Sequence, residues 1–287
     1  MAQAQKLTVL IPCKDERKNI RACIESVRPL ADEIVVADSG STDGTLEVVR
    51  QLGGCRIIQR EYVYSADFKN WAIPQASHPW VLIVDADERV TDKLARSIRR
   101  VLENPSARYD AYWTSFECYF LGHRLKWSGW NTKAIRLFRR DVCRYTDRLV
   151  HADVEIDQSR VGRLNGKLLH YSISSYEQFP AKYDRYTTWG AKTLHQQGRR
   201  ATFGSLLFRP MLRFVSLYFL RLGFLDGLPG LQACMLTAYY NTFIKQGKLW
   251  ELAKMDPQED LSNSATTQED LTPADTPGEI SNQQRAA

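Results

Sequence analysis

No cysteine in this sequence is paired as C-x-x-C, and no histidine stands at zinc-ligand spacing from one. The six cysteines, Cys13, Cys23, Cys55, Cys118, Cys143 and Cys234, are scattered along the chain. Such scatter excludes a disulfide framework and a structural zinc site, and points to buried thiols in a reducing compartment. The opening stretch MAQAQKLTVLIP has one lysine and only a short apolar run. A secretory leader needs a longer apolar region, so a cytoplasmic protein is expected. The glycine-bearing loop VVADSGSTDGT, Val35 to Thr45, matches neither G-x-G-x-x-G nor G-x-x-x-x-G-K-[ST], which argues against dinucleotide and P-loop readings. There is no internal repeat.

Apolar content and basic charge are both present. Of the 287 residues 44% are hydrophobic, enough for a sizeable core. The net charge of +6 conceals an asymmetry. Residues 256–287 hold seven acids and one arginine, so the remaining body carries about +12. A body of that charge suits anionic ligands or an anionic membrane surface. The acidic tail is poor in aromatics and rich in Ser, Thr, Gln and Pro, a composition expected to be disordered.

Near the start, apolar β-rich runs alternate with helical patterns. LTVLIP, EIVVAD, RIIQ and WVLIVDAD read as strands, with helices near Lys18 to Val27, over GTLEVVRQLG, and around Asp67 to Gln75. This spacing predicts βαβ units and an α/β fold with a mostly parallel sheet, whose ligands bind at the carboxyl ends of the strands. The stretch from Arg108 to Tyr171 reads as further strands and loops, and Ser174 to Trp250 as basic, aromatic helices.

Three charged clusters fall at strand ends. In WVLIVDADERV the apolar run meets Asp85, Asp87 and Glu88. If the chain stays extended, Asp85 and Asp87 share a face roughly 7 Å apart. One carboxylate then reaches a hard divalent cation, which takes most of its oxygen ligands from phosphate and water; the bland alternative is a solvated loop. Asp38 ends the second strand, where a carboxylate can accept from an N–H on a base edge. Asp43 precedes Gly44 and Thr45 as a helix N-cap, with or without ligand binding. The third cluster, IPCKDERKN, holds Glu16 among five charges and by itself reads as a charged helix start.

Taken together, VLIPCKDERKNI, ADEIVVADSGSTDGT and WVLIVDADE resemble the family 2 glycosyltransferases, which have the GT-A fold. YFLGHRLKWSGW, IRLFRR, LVH, LLHYS and RLGFLDGLPG resemble the branch that builds the lipopolysaccharide core, including β-1,4-glucosyltransferases. The likeness spans about Lys6 to Leu252. It implies a GT-A domain over 1–172, a helical membrane-associating region over 173–254 and a tail over 255–287. The implied activity is inverting transfer of a hexose, such as glucose, from a nucleotide-sugar, UDP-linked, to a lipopolysaccharide-core or other lipid-linked acceptor. It implies that Glu16, Asp38 and Asp43 hold the base and ribose, Asp85 the ribose or sugar, and Lys69 the phosphates. Asp87 and His151 would ligate Mg2+ or Mn2+. Trp130, with Trp127, is the candidate for stacking on sugar faces, the alternative being core packing.

Two departures bear on catalysis. The branch has an acid after the histidine, where this chain has Ala152, and an aspartate after GW, where it reads Asn131, Thr132 and Lys133. Asp153 or Glu155 is then the expected general base, displaced along the chain, with Asp147 behind them. Other readings are a polyprenyl-phosphate sugar transferase and a silent nucleotide-sugar-binding protein. Nucleic-acid binding is not expected, because no recognised module accompanies the charge. The helical region mixes Leu, Phe and Tyr with Arg209, Arg213 and Arg221. Phe214 to Leu220 is too short to span a bilayer and the uncharged Gly227 to Ile244 is borderline. A helix lying in the plane of an anionic membrane is expected, on the inner face of the cytoplasmic membrane.

Overall fold

The computed structural model describes residues 4–148 and 152–266. Its strands are β1 (Leu7–Cys13), β2 (Glu33–Asp38), β3 (Arg56–Gln59), β4 (Trp80–Ile83), β5 (Glu88–Val90), β6 (Ala111–Phe120), β7 (His123–Arg124), β8 (Lys133–Arg139), β9 (Arg144–Tyr145), β10 (Val154–Glu155) and β11 (Val161–Ile173). Its helices are α1 (Ile20–Val27), α2 (Thr45–Leu52), α3 (Ser65–Ala72), α4 (Asp92–Glu103), α5 (Gln178–Gln196), α6 (Phe203–Val215), α7 (Gly227–Ala238) and α8 (Lys245–Thr266).

The first half alternates strand and helix as the sequence predicts. β1 is apolar along its length because helices cover both faces of the sheet around it. Helix α1 buries Ile20, Cys23, Ile24 and Val27, one stripe at helical spacing. Thr91 caps α4, whose Leu94, Ile98 and Leu102 face the same core. One core lies under α1 and α4 and includes Trp80 and Leu82; the opposite face packs Leu10, Val81 and Ile83 against Phe68 and Ala72 of α3.

The strands form a sheet in the order β3-β2-β1-β4-β8-β6-β11-β5, with β7 beside β6. The first four run parallel. The rest is mixed: β8 is antiparallel to β4 and β6, β11 is parallel to β6, and β5 is antiparallel to β11. The parallel half therefore carries the expected pattern. The second half folds back upon it, bringing β8 and β11 beside the tip of β4.

β11 passes into a helical region. Phe120, Leu125, Ile173, Phe179 and Ala233 form a separate core joining it to the sheet. The carboxylate of Asp226 accepts from the backbone N–H of Lys126 at 2.8 Å and of Trp127 at 2.9 Å, fixing that loop to the helices.

Two expectations change here. One face of the stretch Gly227–Ile244 is packed, with Gly230, Ala233, Cys234, Thr237 and Ala238 buried, while Leu228, Met235, Tyr239 and Phe243 stay exposed. At Gly230 an added Cβ would lie 2.2 Å from the carbonyl oxygen of Gly223, so the helix approaches the preceding turn too closely for any side chain. The apolar 18-residue window is instead Phe203–Leu220, of which only 6% is buried. Helix α8 also continues to Thr266, beyond the expected start of disorder at 255. Once its first turns are packed against α5, each further helical residue costs little. The rest of the tail lies outside the described residues.

Candidate active site

The carboxyl ends of β1 and β2 carry two loops that are stapled together. The backbone N–H groups of Asp15, Glu16 and Arg17 donate to Ser41 Oγ, Thr45 Oγ1 and Asp43 Oδ2, at 2.8–3.0 Å. In return Asp15 Oδ1 accepts from Thr42 N at 2.8 Å. Asp43 also accepts from Thr45 N at 3.0 Å in an Asx-type turn; the N-cap of α2 is Gly44, so Asp43 stands one residue before the expected capping position.

Asp38 differs from expectation. It is buried, and its oxygens accept from Gly40 N at 3.0 Å, Ser41 N at 3.2 Å, the Ser41 hydroxyl and Gln59 Nε2 at 3.1 Å. Burial alone would raise its pKa, but these donors hold it below the ordinary value. Asp38 shapes the turn through these bonds; Gly40, at φ 90°, makes that turn possible. Its neighbours Cys13 and Ser39 face the cavity.

At the tip of β4 the chain does not stay extended. It turns over Ala86 and Asp87, with Glu88 N donating to the Asp85 carbonyl at 2.8 Å. The two aspartates consequently reach different partners instead of sharing a face as in a strand. Asp85 lies 2.8 Å from the Arg136 guanidinium and 3.4 Å from Lys69 Nζ. Glu88, fully buried, accepts from the same guanidinium at 2.6 Å and from Asp85 N at 2.8 Å. Arg136 comes from β8 and rests on the Phe116 ring, 5.2 Å from its centroid. Burial would raise Asp85, but Arg136 and Lys69 outweigh it and hold the carboxyl well below its usual range. For Glu88 burial wins and the pKa rises. Asp87 Oδ2 faces His170 Nε2 of β11 at 3.3 Å; burial would lower that imidazole, but the carboxylate raises it to about 10.

These groups border one cavity of about 280 Å3, lined by Glu16, Lys69, Asp85, Asp87, His170 and Arg185. Arg185 comes from α5 and sits over the rings of Tyr62 and Trp189. A second cavity, of about 350 Å3, adjoins through Lys69 and includes Arg136, Trp113 and Asp153. Of the expected site residues, Glu16, Lys69, Asp85 and Asp87 come together. Asp153 lines the adjoining cavity, and Glu155 is exposed on β10, paired with β9. Trp130 is half-buried, edge-on to Phe120 at 5.8 Å and packed against two cores. It does not line the first cavity; its loop turns inward beneath the helices and sets it at the border of a third cavity, between the sheet and the helices. His151 lies outside the described residues. Arg136, His170 and Arg185 were not anticipated, although the stretches IRLFRR and LLHYS contain the first two.

The donors suit a hard cation of low protein coordination. Asp87 supplies an oxygen and His170 a nitrogen, converging at the cavity wall. Among the described residues there is no group of three or more metal-ligating side chains. Once His170 gives up the proton it carries against Asp87, these two fit an ion that takes the rest of its shell from a diphosphate and water.

A family model described as glycosyl transferase family 2 matches residues 8–151. The lipopolysaccharide core biosynthesis glycosyltransferase LpsC of Rhizobium meliloti is 31% identical over 252 residues, 85% of this chain and 92% of that protein. An uncharacterised glycosyltransferase of Rickettsia typhi is 27% identical, over 87% of this chain and 88% of its own length. Among solved structures, a mannosyltransferase from Pyrobaculum calidifontis in complex with GDP-Man and Mn2+ is 16% identical, with a TM-score of 0.46 over 93% of this chain and 81% of that one.

Proposed function

The chain belongs to glycosyl transferase family 2 and has the α/β, GT-A-like architecture of that family, and from that premise we propose that it transfers a hexose from a UDP-linked sugar to a lipopolysaccharide-core or other lipid-linked acceptor, with inversion. The observation that carries this reading is the convergence of Asp85, Asp87, Lys69, His170 and Arg185 on one cavity at the carboxyl ends of β1 and β4.

Each group has a task that its surroundings suit. Lys69 and Arg185 are the cations that meet the diphosphate, one a compact ammonium and the other a planar guanidinium held by two aromatic rings. Asp85, kept ionised by Arg136 and Lys69, accepts hydroxyl hydrogens of the ribose or the sugar. Glu16 and the 39–41 turn border the nucleoside end, with Asp38 and Asp43 holding the two loops in register. Asp87 and His170 hold the divalent ion, Mg2+ or Mn2+, which when bound neutralises charge developing on the departing diphosphate. Asp153, facing the adjoining cavity, takes the acceptor proton; Glu155 lies farther out.

The LpsC relative and the surface of α6 support this acceptor class. Phe203, Leu207, Phe208, Met211 and Leu212 are exposed there beside Arg209, a pattern that favours the inner face of an anionic membrane.

The test is transfer of radiolabelled sugar from UDP- and GDP-hexoses to a membrane fraction, with Mn2+ or with a chelator, followed by NMR of the product's anomeric linkage. We expect transfer from a UDP-hexose, lost with the chelator, with the anomeric configuration inverted. In Asp87→Ala the rate should fall by roughly a hundredfold or more. Retention of configuration, or full activity of Asp87→Ala with the metal still required, contradicts the reading. Nucleotide binding without transfer to any membrane acceptor would favour the silent binding protein.

A further inference from the structure

A third cavity, of about 240 Å3, lies where the sheet meets the helices, and His170 is its common wall with the donor cavity. Its floor is β6, β11 and the loop Ser128 to Trp130; its other walls are α5, α6 and α7. It contains a polar group with no use inside the fold. Ser128 is fully buried, lines the cavity, and its hydroxyl has no hydrogen-bond partner. A desolvated hydroxyl left in that state is costly, and nothing in the packing requires it.

The second observation is charge. Arg213 of α6 lines the same cavity, and no carboxylate does. Among the described residues neither Arg213 nor the adjacent Arg221 has a carboxylate partner. Arg221 packs on Gly129, where an added Cβ would lie 2.8 Å from its guanidinium. Burial, and then the proximity of Arg221, hold Arg213 below its ordinary pKa, as expected of cations crowded together without a counter-ion. An anion lodged between Ser128 and Arg213 would satisfy the hydroxyl and offset the repulsion.

The third observation is placement. The helix that turns Arg213 toward the cavity exposes Phe208, Met211 and Leu212 on its surface. One element thus joins an apolar outer face to a cationic inner lining.

Resting on the transferase reading above, we propose that this cavity is a subsite for an anionic group, a phosphate or a carboxylate, on the membrane-anchored glycan acceptor, with Arg213 as its ion partner and Ser128 as its hydroxyl donor. The anion is held on the helical side of His170, and the reacting hydroxyl lies where the donor cavity meets, at Lys69, the cavity that Asp153 lines. Acceptors are thereby selected by a charge set apart from the bond being made.

The test uses the full chain saturated with UDP and Mn2+. Binding of glucose 6-phosphate, glucuronate, glucose and inorganic phosphate is measured by calorimetry for wild type, Arg213→Gln and Ser128→Ala. Wild type should hold at least one of the two anionic sugars tenfold or more tighter than glucose, and which one distinguishes phosphate from carboxylate. Both variants should reduce that preference below about threefold. Ser128→Ala should melt no lower than wild type, since it removes a buried unpaired hydroxyl; a packing role for Ser128 would lower the melting temperature without touching the preference. Equal binding of all three sugars, or an undiminished preference in Arg213→Gln, overturns the proposal. Inorganic phosphate binding as tightly as either anionic sugar also overturns it, leaving a plain anion site. Stabilisation by UDP is the control: if it is absent, the transferase reading itself fails, whereas if it is present without the anion preference, only this subsite falls.

Discussion

The tip of the sheet and the helical region are both rich in charge, but they dispose of it in opposite ways. At the tip, Asp85 and Glu88 share the buried guanidinium of Arg136, Asp85 also meets Lys69, and Asp87 meets His170. Farther along the sheet, Glu33 receives the Thr8 hydroxyl at 2.6 Å, Ser77 N at 2.8 Å and Arg56 at 2.9 Å. In the helices, Arg213 and Arg221 face each other's field, and the apolar side chains around them are open, Phe203 by 79% and Leu220 by 77%. Charges matched in place are fixed before any ligand arrives, which is what positioning a reaction requires. Charges and apolar surface left unmatched await a partner from outside. On the proposed reading, one region is arranged for chemistry and the other for capture.

The comparison breaks most visibly if Arg136 proves dispensable. Arg136→Met leaves Glu88 buried without its cation and Asp85 with Lys69 alone, and the expected loss is about 3–5 kcal/mol in denaturant unfolding. Adding Glu88→Gln should recover part of it, since one stranded charge is then gone. A loss below about 1 kcal/mol for the single variant would mean that the tip is not held by its ion pairs.

Glu33 gives a smaller effect, with a defined pH dependence. Burial would raise its pKa, but the Thr8, Ser77 and Arg56 donors outweigh it and bring it to about 2 from an ordinary value of 4.5. The folded value lies below the unfolded one, so the carboxylate stabilises the fold above pH 4.5 and the contribution disappears as pH falls toward 2. Glu33→Gln should therefore cost about 1–3 kcal/mol at pH 7 and progressively less below pH 4.5. An equal cost at both extremes would show that the charge is irrelevant.

The smallest effect on stability should come from the open face. Phe208→Ser with Leu212→Ser exchanges exposed side chains and should change stability within about 0.5 kcal/mol. The same pair should sharply reduce sedimentation with anionic vesicles at low salt. Wild-type binding should itself weaken as salt is raised, because surface charge is screened. Unchanged vesicle binding in the double variant would move the membrane contact elsewhere.

How much of this could be read in the sequence depended on how local each determinant is. The strands of the parallel half follow from runs such as EIVVAD, and Lys69, Asp85 and Asp87 line the cavity at the β4 tip, with Glu88 buried behind them. The turn over Ala86 was not anticipated, since D-x-D in an apolar context reads as continuing strand. Asp38 could have been read as a turn-former, because its partners Gly40 and Ser41 follow at once. Arg136 and His170 were present in recognisable stretches without a role. Their place depends on β8 pairing with β4, and on β11 pairing with β5, across long chain separations. No local pattern encodes that. The placing of Trp130 is non-local in the same way: its loop's path sets the ring edge-on to Phe120 and at the border of the cavity between sheet and helices.

The most direct measurement is thermal unfolding with UDP and other nucleoside diphosphates, with and without Mn2+, on wild type and Asp87→Ala. A ligand present at about 100 times its dissociation constant adds roughly 2.7 kcal/mol to the folded state. One nucleotide should raise the melting temperature in the presence of Mn2+, and the shift should vanish in Asp87→Ala. No shift with any nucleotide, or one of equal size in Asp87→Ala, would contradict the assignment of the sheet tip as a nucleotide-sugar site.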